Sequence, residues 1–439
     1  IADAIRQVVA ATAHDPVTAV SVSSMTDTFT PFGADGRPLQ HSIMSYDARA
    51  AKEVAEIAEA FDDPALYDIT GMPLHPMHPA FKIRWLQKNR PQVAEKVWKY
   101  LSYEEMILWR LGAEPASSYS SSGRTFLFDN NTKDWNKDLL EYFHVDAASL
   151  PALCPSGVEI GRVSKAAAQA TGLPEGAKLI SGGFDQACCA TACGVFQKGE
   201  LADTTGTNEI IYFIVEPKAK AQLLANKFSY SYHIFGDTFS TFAHMFNAGG
   251  ALKWYRNNFF STKNVPYDDI TAAMPEDVTD VFFLPFLAGM GTPEMDPMQK
   301  SSFFGLSLAS DKHVIAKAIL EGVTMESRYN LALAESMGAA GSDTVKALGG
   351  ATKSPVWMQL KADICGKAFE CYPDLEAGAA GAAILAGSGS GVFGSPRDGY
   401  LAIRSATAAK NYQPQPQKVK EYDEKYAKYV SLREVIKHV

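Results

Sequence analysis

Ser181-Gly182-Gly183-Phe184-Asp185-Gln186 is the stretch that most restricts what this chain can fold into. Before it, Lys178-Leu179-Ile180 reads as a short buried strand; behind it, the small-residue run Ala187 to Gly194 reads as a helix. Two glycines turn the chain sharply between them. A carboxylate at such a junction is held by rigid elements on both sides, so Asp185 is placed to take a proton from a hydroxyl. Further on, Asp203-Thr204-Thr205-Gly206-Thr207 offers a glycine turn whose hydroxyls and N–H groups suit phosphate oxygens. An acid followed by a phosphate cradle suggests phosphoryl transfer to an alcohol. On these residues alone two ordinary turns are the simpler reading, because Gly-Gly-x-Asp is a weak signal.

The 439 residues exceed what one core supports, so two domains are expected. A polar turn at Pro174 and Gly176 puts the boundary between 1–177 and 178–439. The net charge of −8 argues against nucleic acid as a partner. No apolar run is long enough to cross a membrane, since Ala377 to Val392 is short and rich in Gly and Ala, and no signal peptide is read. Six cysteines, few and clustered for a chain this size, point to a reduced, cytoplasmic protein. Cys189 and Cys193 lie one helical turn apart, yet no Cys-x-x-Cys or His pair joins them. His75, His78, His244 and His313 show no ligand spacing either, so no residue is assigned to a metal.

Helices are expected over Ile1–Ala13, Ala48–Phe61, Pro79–Asn89 with Pro91–Trp98, Asp129–Phe143, Gly249–Phe260, Lys312–Ser336 and Ser354–Cys365. Strands are expected over Val17–Val22, Met25–Phe32, Ser42–Tyr46, Leu179–Gly182, Glu209–Val215 and Phe228–Ile234. Strands alternating with helices mean α/β. Ser117–Gly123 reads as a loop, and the charged run Lys418–Lys437 as an exposed, solvated helix.

Met77-His78-Pro79-Ala80-Phe81-Lys82-Ile83-Arg84-Trp85-Leu86-Gln87-Lys88-Asn89 has an unusual Pro-x-x-Lys-x-x-Trp arrangement. It resembles the first signature of the FGGY carbohydrate kinase family, and other landmarks follow in order. Ala19 to Arg49 resembles the family's sugar-pocket hairpin, and Gly182-Gly183-x-Asp185 the strand end carrying its base. Gly206-Thr207 resembles the second phosphate loop, and Phe283-Leu284-Pro285-Phe286 through Leu320-Glu321-Gly322 the second signature. Gly349-Gly350-Ala351-x-Lys353-Ser354-Pro355-x-Trp357 resembles the adenosine motif, and Glu376 to Ala383 the helix closing the adenine pocket.

The resemblance implies two ribonuclease H-like domains of the actin and hexokinase type, with a cleft between them. It implies a sugar-binding N-terminal domain, a nucleotide-binding C-terminal domain, and ATP-dependent phosphorylation of a hydroxyl of a small sugar, ketose or polyol. Asp185 is the implied base. Thr26, Asp27 and Gln186 are the implied sugar contacts, joined by Trp254, which either stacks on a sugar or fills the core. Gly206, Thr207, Gly349, Gly350, Ala351 and Ser354 are the implied nucleotide contacts, with Mg²⁺ neutralising phosphate charge. The expected partner is a sugar or polyol, with neither nucleic acid nor membrane, and a homodimer is compatible with this reading. Thr26-Asp27 matches neither the Met-His of xylulose members nor the Arg-Glu of glycerol kinases, although Gln186 follows the glycerol pattern. Lys300-Ser301 stands where the family usually has Arg-Gly, and the serine-rich loop lacks the family's Asp. The family's opening Asp-x-Gly-Thr phosphate hairpin has no counterpart, so the chain as read is expected not to be competent by itself. That departure favours the alternative, a degenerate, non-catalytic sugar- and nucleotide-binding member of the fold.

Overall fold

The computed structural model describes residues 1–216, 219–339 and 341–437. It divides into two compact units: Ile1–Phe196 with Ser229–Ser240 and Glu376–Ser405, and Gln197–Phe228 with Thr241–Leu375 and Ala406–Val439. The units do not follow a boundary at 177/178. The strand Lys178–Ile180 lies in the first unit, parallel to Ala19–Val20 and antiparallel to Glu159–Arg162.

In the first unit the helix Pro79–Asn89 starts on Pro79, whose missing N–H costs nothing in a first turn. It buries Ala80, Phe81, Ile83 and Leu86, one face at helical spacing, in a core shared with Phe29, Ile57 and Phe126. A capping box, Ser102 with Glu105, starts the helix Tyr103–Leu111. Ser117–Ser122 is ordered, unlike the loop expected there. Ala116–Ser118 is a strand parallel to Ala152–Cys154, and the Ser118 side chain caps the turn Tyr119–Ser122. The expected helix over Asp129–Phe143 begins only at Lys137, because 128–129 and 134–135 form a small hairpin. Ser42–Tyr46 contributes one bridge, Ile43 to Phe29.

Five consecutive strands of a seven-stranded mixed sheet run Glu209–Val215, Leu201–Thr205, Thr344–Leu348, Ala368–Cys371, Lys410–Tyr412 in the second unit. Among these five, the first and last pairings are antiparallel and the two between them parallel. Helix Lys312–Ala334, capped by Asp311, is buried along most of its length. Helix Pro416–Ile436 exposes much of its charged surface, as expected, but one stripe of it, Tyr422, Lys425, Tyr429, Arg433 and Ile436, is buried. Lys425 reaches Glu321 at 2.5 Å and the carbonyls of Thr279 and Val281, while Arg433 forks onto Glu294 at 2.7 Å and Glu326 at 2.9 Å. The acids that bury these two cations lie more than a hundred residues earlier in sequence, which is why local charge density misreads the helix.

Candidate active site

Gly182 and Gly183 are needed for close approach. A Cβ on Gly182 would stand 2.0 Å from the Val22 carbonyl oxygen, and one on Gly183 2.5 Å from Ile234 Cγ2. Strand Gly183–Phe184 can therefore lie parallel to Ser23–Ser24, with the Gly183 N–H donating to Val22 O at 3.1 Å and the Phe184 N–H to Ser120 Oγ at 3.2 Å. Asp185 then opens the helix Asp185–Ala192, where the dipole favours a negative charge. Gly381 of helix Ala377–Ser390 lets that helix pack on the base-bearing one, since a Cβ there would meet Cys188 O at 2.2 Å.

Asp185 and Gln186 are half-buried, whereas Thr26 and Asp27 are buried. Burial raises the Asp185 pKa, and the Asp27 carboxylate adds to the rise; the Gln186 N–H and the Arg124 guanidinium oppose it. Asp185 takes part in no ion pair among the described residues. Asp27 is held tightly: Arg124 Nη2 lies 3.3 Å from its Oδ2, and His78 Nδ1 3.4 Å from its Oδ1. Burial works against the Asp27 charge, yet Arg124 and His78 hold its pKa below the usual range. Lys82 donates to the backbone carbonyls of Asp27 at 2.9 Å and Met44 at 2.7 Å, and burial lowers it to about 8. Arg124, His78 and Lys82 lie outside the site residues that sequence reasoning reaches; the Pro-x-x-Lys spacing on an apolar helix is the one available signal.

Gly206, Thr207, Gly350, Ala351 and Ser354 line one cavity of about 280 Å³ in the second unit, with Gly249, Leu252, Lys253, Tyr267, Thr271 and Trp357. Gly349 does not line it but shapes it. Its φ is +85°, and a Cβ there would stand only 2.5 Å from Thr205 O, so glycine alone fits. Gly206 and Thr207 are exposed, and their carbonyls accept from the N–H groups of Gly249 at 2.9 Å and Ala248 at 2.8 Å. Trp254 lies in this second unit on helix Gly249–Phe259, half-buried and edge-on to Phe259 at 5.6 Å. Gly249-Gly250, at a helix start, is the sequence signal that could have extended the cavity lining.

Beneath the Gly206–Thr207 turn lies a buried ion network. Lys361 Nζ donates to Asp203 Oδ2 at 2.5 Å and Thr205 Oγ1 at 2.8 Å, and stands 3.2 Å from Glu209 Oε1. Ser327 donates to Glu209 Oε2 at 2.8 Å. Burial disfavours the Lys361 charge, but the two carboxylates outweigh it and raise its pKa. Glu209, buried beside Asp203, is pushed up to about 7.

Known proteins share this architecture. The model of the FGGY family of carbohydrate kinases matches the chain twice, the N-terminal domain over residues 1–192 and the C-terminal domain over 204–390. The chain is 27% identical to a xylulose kinase of Bacillus subtilis over 91% of its own length and 79% of the relative's. It is 29% identical to a glycerol kinase of Myxococcus xanthus over 86% and 77%. Its fold superposes on a gluconate kinase of Lactobacillus acidophilus with a TM-score of 0.86, covering 99% of this chain and 88% of that one at 23% identity.

Proposed function

The chain belongs to the FGGY family of carbohydrate kinases and is itself an ATP-dependent kinase of a small sugar or polyol; we propose that Asp185 is its base. Its two domains are of the actin and hexokinase type. The observation that carries the assignment is a half-buried carboxylate at a rigid junction, outside any ion pair among the described residues, with its pKa raised. A base serves best when its pKa approaches the working pH. In the transfer, the acceptor hydroxyl oxygen bonds to the γ-phosphorus, the bond from that phosphorus to ADP breaks, and the hydroxyl proton ends on Asp185.

The first unit is proposed to hold the acceptor through Thr26, Asp27 and Gln186. The second unit is proposed to hold the nucleotide. In the exposed Gly206–Thr207 turn Thr207 is proposed to offer its N–H and hydroxyl to phosphate, and the bulk-free Gly349-Gly350-Ala351 turn, with Ser354, offers a flat face to adenine. Mg²⁺, when bound, neutralises charge on the transferring phosphates. Asp203 is committed to Lys361 and Thr205, and no cluster of three metal-ligating side chains occurs among the described residues. The six cysteines form no disulfide, and no described helix is long and apolar enough to cross a membrane.

The relatives' names span a ketose, a polyol and a sugar acid. The test is ADP release by the full natural chain over a panel of all three classes. ADP release should rise several-fold over ATP alone with at least one acceptor. Equal release with and without every acceptor would contradict the assignment.

A further inference from the structure

The Gly206–Thr207 turn joins two antiparallel strands, Leu201–Thr205 and Glu209–Val215, whose end residues Thr205 and Glu209 stand opposite each other in register. One cation reaches both ends. Lys361 Nζ donates to Thr205 Oγ1 at 2.8 Å and to Asp203 Oδ2 at 2.5 Å, and lies 3.2 Å from Glu209 Oε1; Thr205 Oγ1 donates in turn to Asp203 Oδ1 at 2.7 Å. Lys361 comes from helix Pro355–Cys365, which also carries Trp357 into the lining of the cavity of about 280 Å³. The carbonyls of Gly206 and Thr207 are taken by the N–H groups of Ala248, Gly249 and Gly250. The turn is thus fixed at its base, while Gly206 and Thr207 stay exposed. Facing Glu209 are Asp203 from the neighbouring strand, Lys361 and the Cys365 thiol from helix Pro355–Cys365, and the Ser327 hydroxyl from helix Lys312–Ala334. Cys371 faces Asp203 and Lys361, and Arg328, near the Cys365 thiol, is engaged by Ile364 O and Asp423. Burial pushes both thiols up to about 12, so they stay neutral. The charge of the cluster therefore rests on Asp203, Glu209 and Lys361.

We propose that this buried network acts on ATP through the turn it clamps, with Glu209 as a positioning residue: protonated, it leaves the network neutral, and ionised, it puts one net negative charge next to the bound phosphates. The inference rests on the nucleotide reading of the cavity. Glu209 stands two residues after Thr207, the proposed phosphate contact, and is buried, so its charge is screened little. Its carboxyl is pushed up to about 7 by burial and by Asp203, so it changes charge in the neutral range. As pH rises through 7 the proton leaves, the network passes from neutral to a single negative charge, and ATP is held more weakly. Linkage requires the converse: bound phosphates favour the protonated Glu209, so ATP binding near pH 7 takes up a proton in part.

The experiment is calorimetric binding of ATP with magnesium to the full chain at pH 6, 7 and 8, for wild type, Glu209→Gln and Asp203→Asn. Magnesium keeps the free nucleotide's phosphates deprotonated over this range, and Asp185 and Glu104 titrate in all three proteins, so both effects cancel in the comparison. Wild type should lose about three- to tenfold in ATP affinity between pH 6 and 8, the scale of one partly screened charge. At pH 7 its binding heat should depend on the buffer in the sense of proton uptake. Glu209→Gln keeps the shape without the charge, so it should match wild type at pH 6, bind about three- to tenfold tighter at pH 8, and take up no proton. Asp203→Asn removes the other carboxylate charge and should also bind ATP more tightly than wild type at pH 8. A folded Glu209→Gln with the wild-type pH dependence, or wild-type affinity of both variants at pH 8, would overturn the proposal and leave the nucleotide reading standing. If neither variant folds, the wild-type measurement decides: constant affinity from pH 6 to 8, or no proton uptake, overturns it. Absence of ATP binding at every pH would remove the nucleotide reading and this inference with it.

Discussion

Glu104 is buried with its Oε2 accepting hydrogen bonds from Ser118 and Ser121, and burial pushes its pKa up to about 8. The folded protein therefore keeps a proton on this group that the unfolded chain releases at ordinary carboxylate pH. Its stabilising contribution is complete below the unfolded pKa and is lost as pH rises toward 8. Glu104→Gln mimics the protonated acid, so its unfolding free energy should fall less between pH 5 and 8 than that of wild type; parallel curves by denaturant titration would contradict this. Asp185 follows the same logic in catalysis. The Asp27 charge helps raise its pKa, so Asp27→Asn should move the acid limb of the kcat/KM profile to lower pH. An unmoved or raised limb would show that the two carboxylates do not communicate.

The turns are legible in the sequence because their chemistry is local. Gly182-Gly183-Phe184-Asp185 and Gly349-Gly350-Ala351 announce themselves by missing bulk, and the helices at Pro79, Lys312 and Pro355 by period and cap. What stays hidden depends on partners distant in sequence. The Lys361 network joins residues 156 and 158 positions apart, and Lys425 and Arg433 find their acids 104 and 107 positions away. The serine stretch at 117–122 is ordered because Ala152–Cys154 pairs with it and Glu104 receives its hydroxyls, neither of which its own composition shows. Lys361→Met would leave Asp203 and Glu209 buried without a cation, at a cost of about 3–5 kcal/mol. A loss below about 1 kcal/mol by denaturant unfolding would mean that the network relaxes into water. On the Gly350–Lys353 turn, Ala351→Leu should weaken ATP binding by about tenfold, the scale of an overpacking penalty, and leave polyol binding unchanged. Equal ATP affinity by calorimetry would remove this turn from the nucleotide site.

At the scale of the chain, the two family-model matches, 1–192 and 204–390, each carry one half of the proposed chemistry: Asp185 with its buried charge cluster, and the cavity lined by Gly206, Thr207, Gly350 and Ala351. A division at 177/178 rests on a local turn alone. The segment Glu376–Ser405 returns to the first unit because Gly381 lets its helix touch the base-bearing helix. Such a return depends on contacts between residues far apart in sequence, which local composition does not carry. The central claim is that Asp185 takes the proton during transfer. Its most direct test is kcat for Asp185→Asn in the full chain, measured as acceptor-dependent ADP release alongside calorimetric binding of acceptor and ATP. Asn keeps the shape and cannot take the proton, so kcat should fall by about a hundred- to ten-thousand-fold with both affinities retained. Turnover within about tenfold of wild type would contradict the claim.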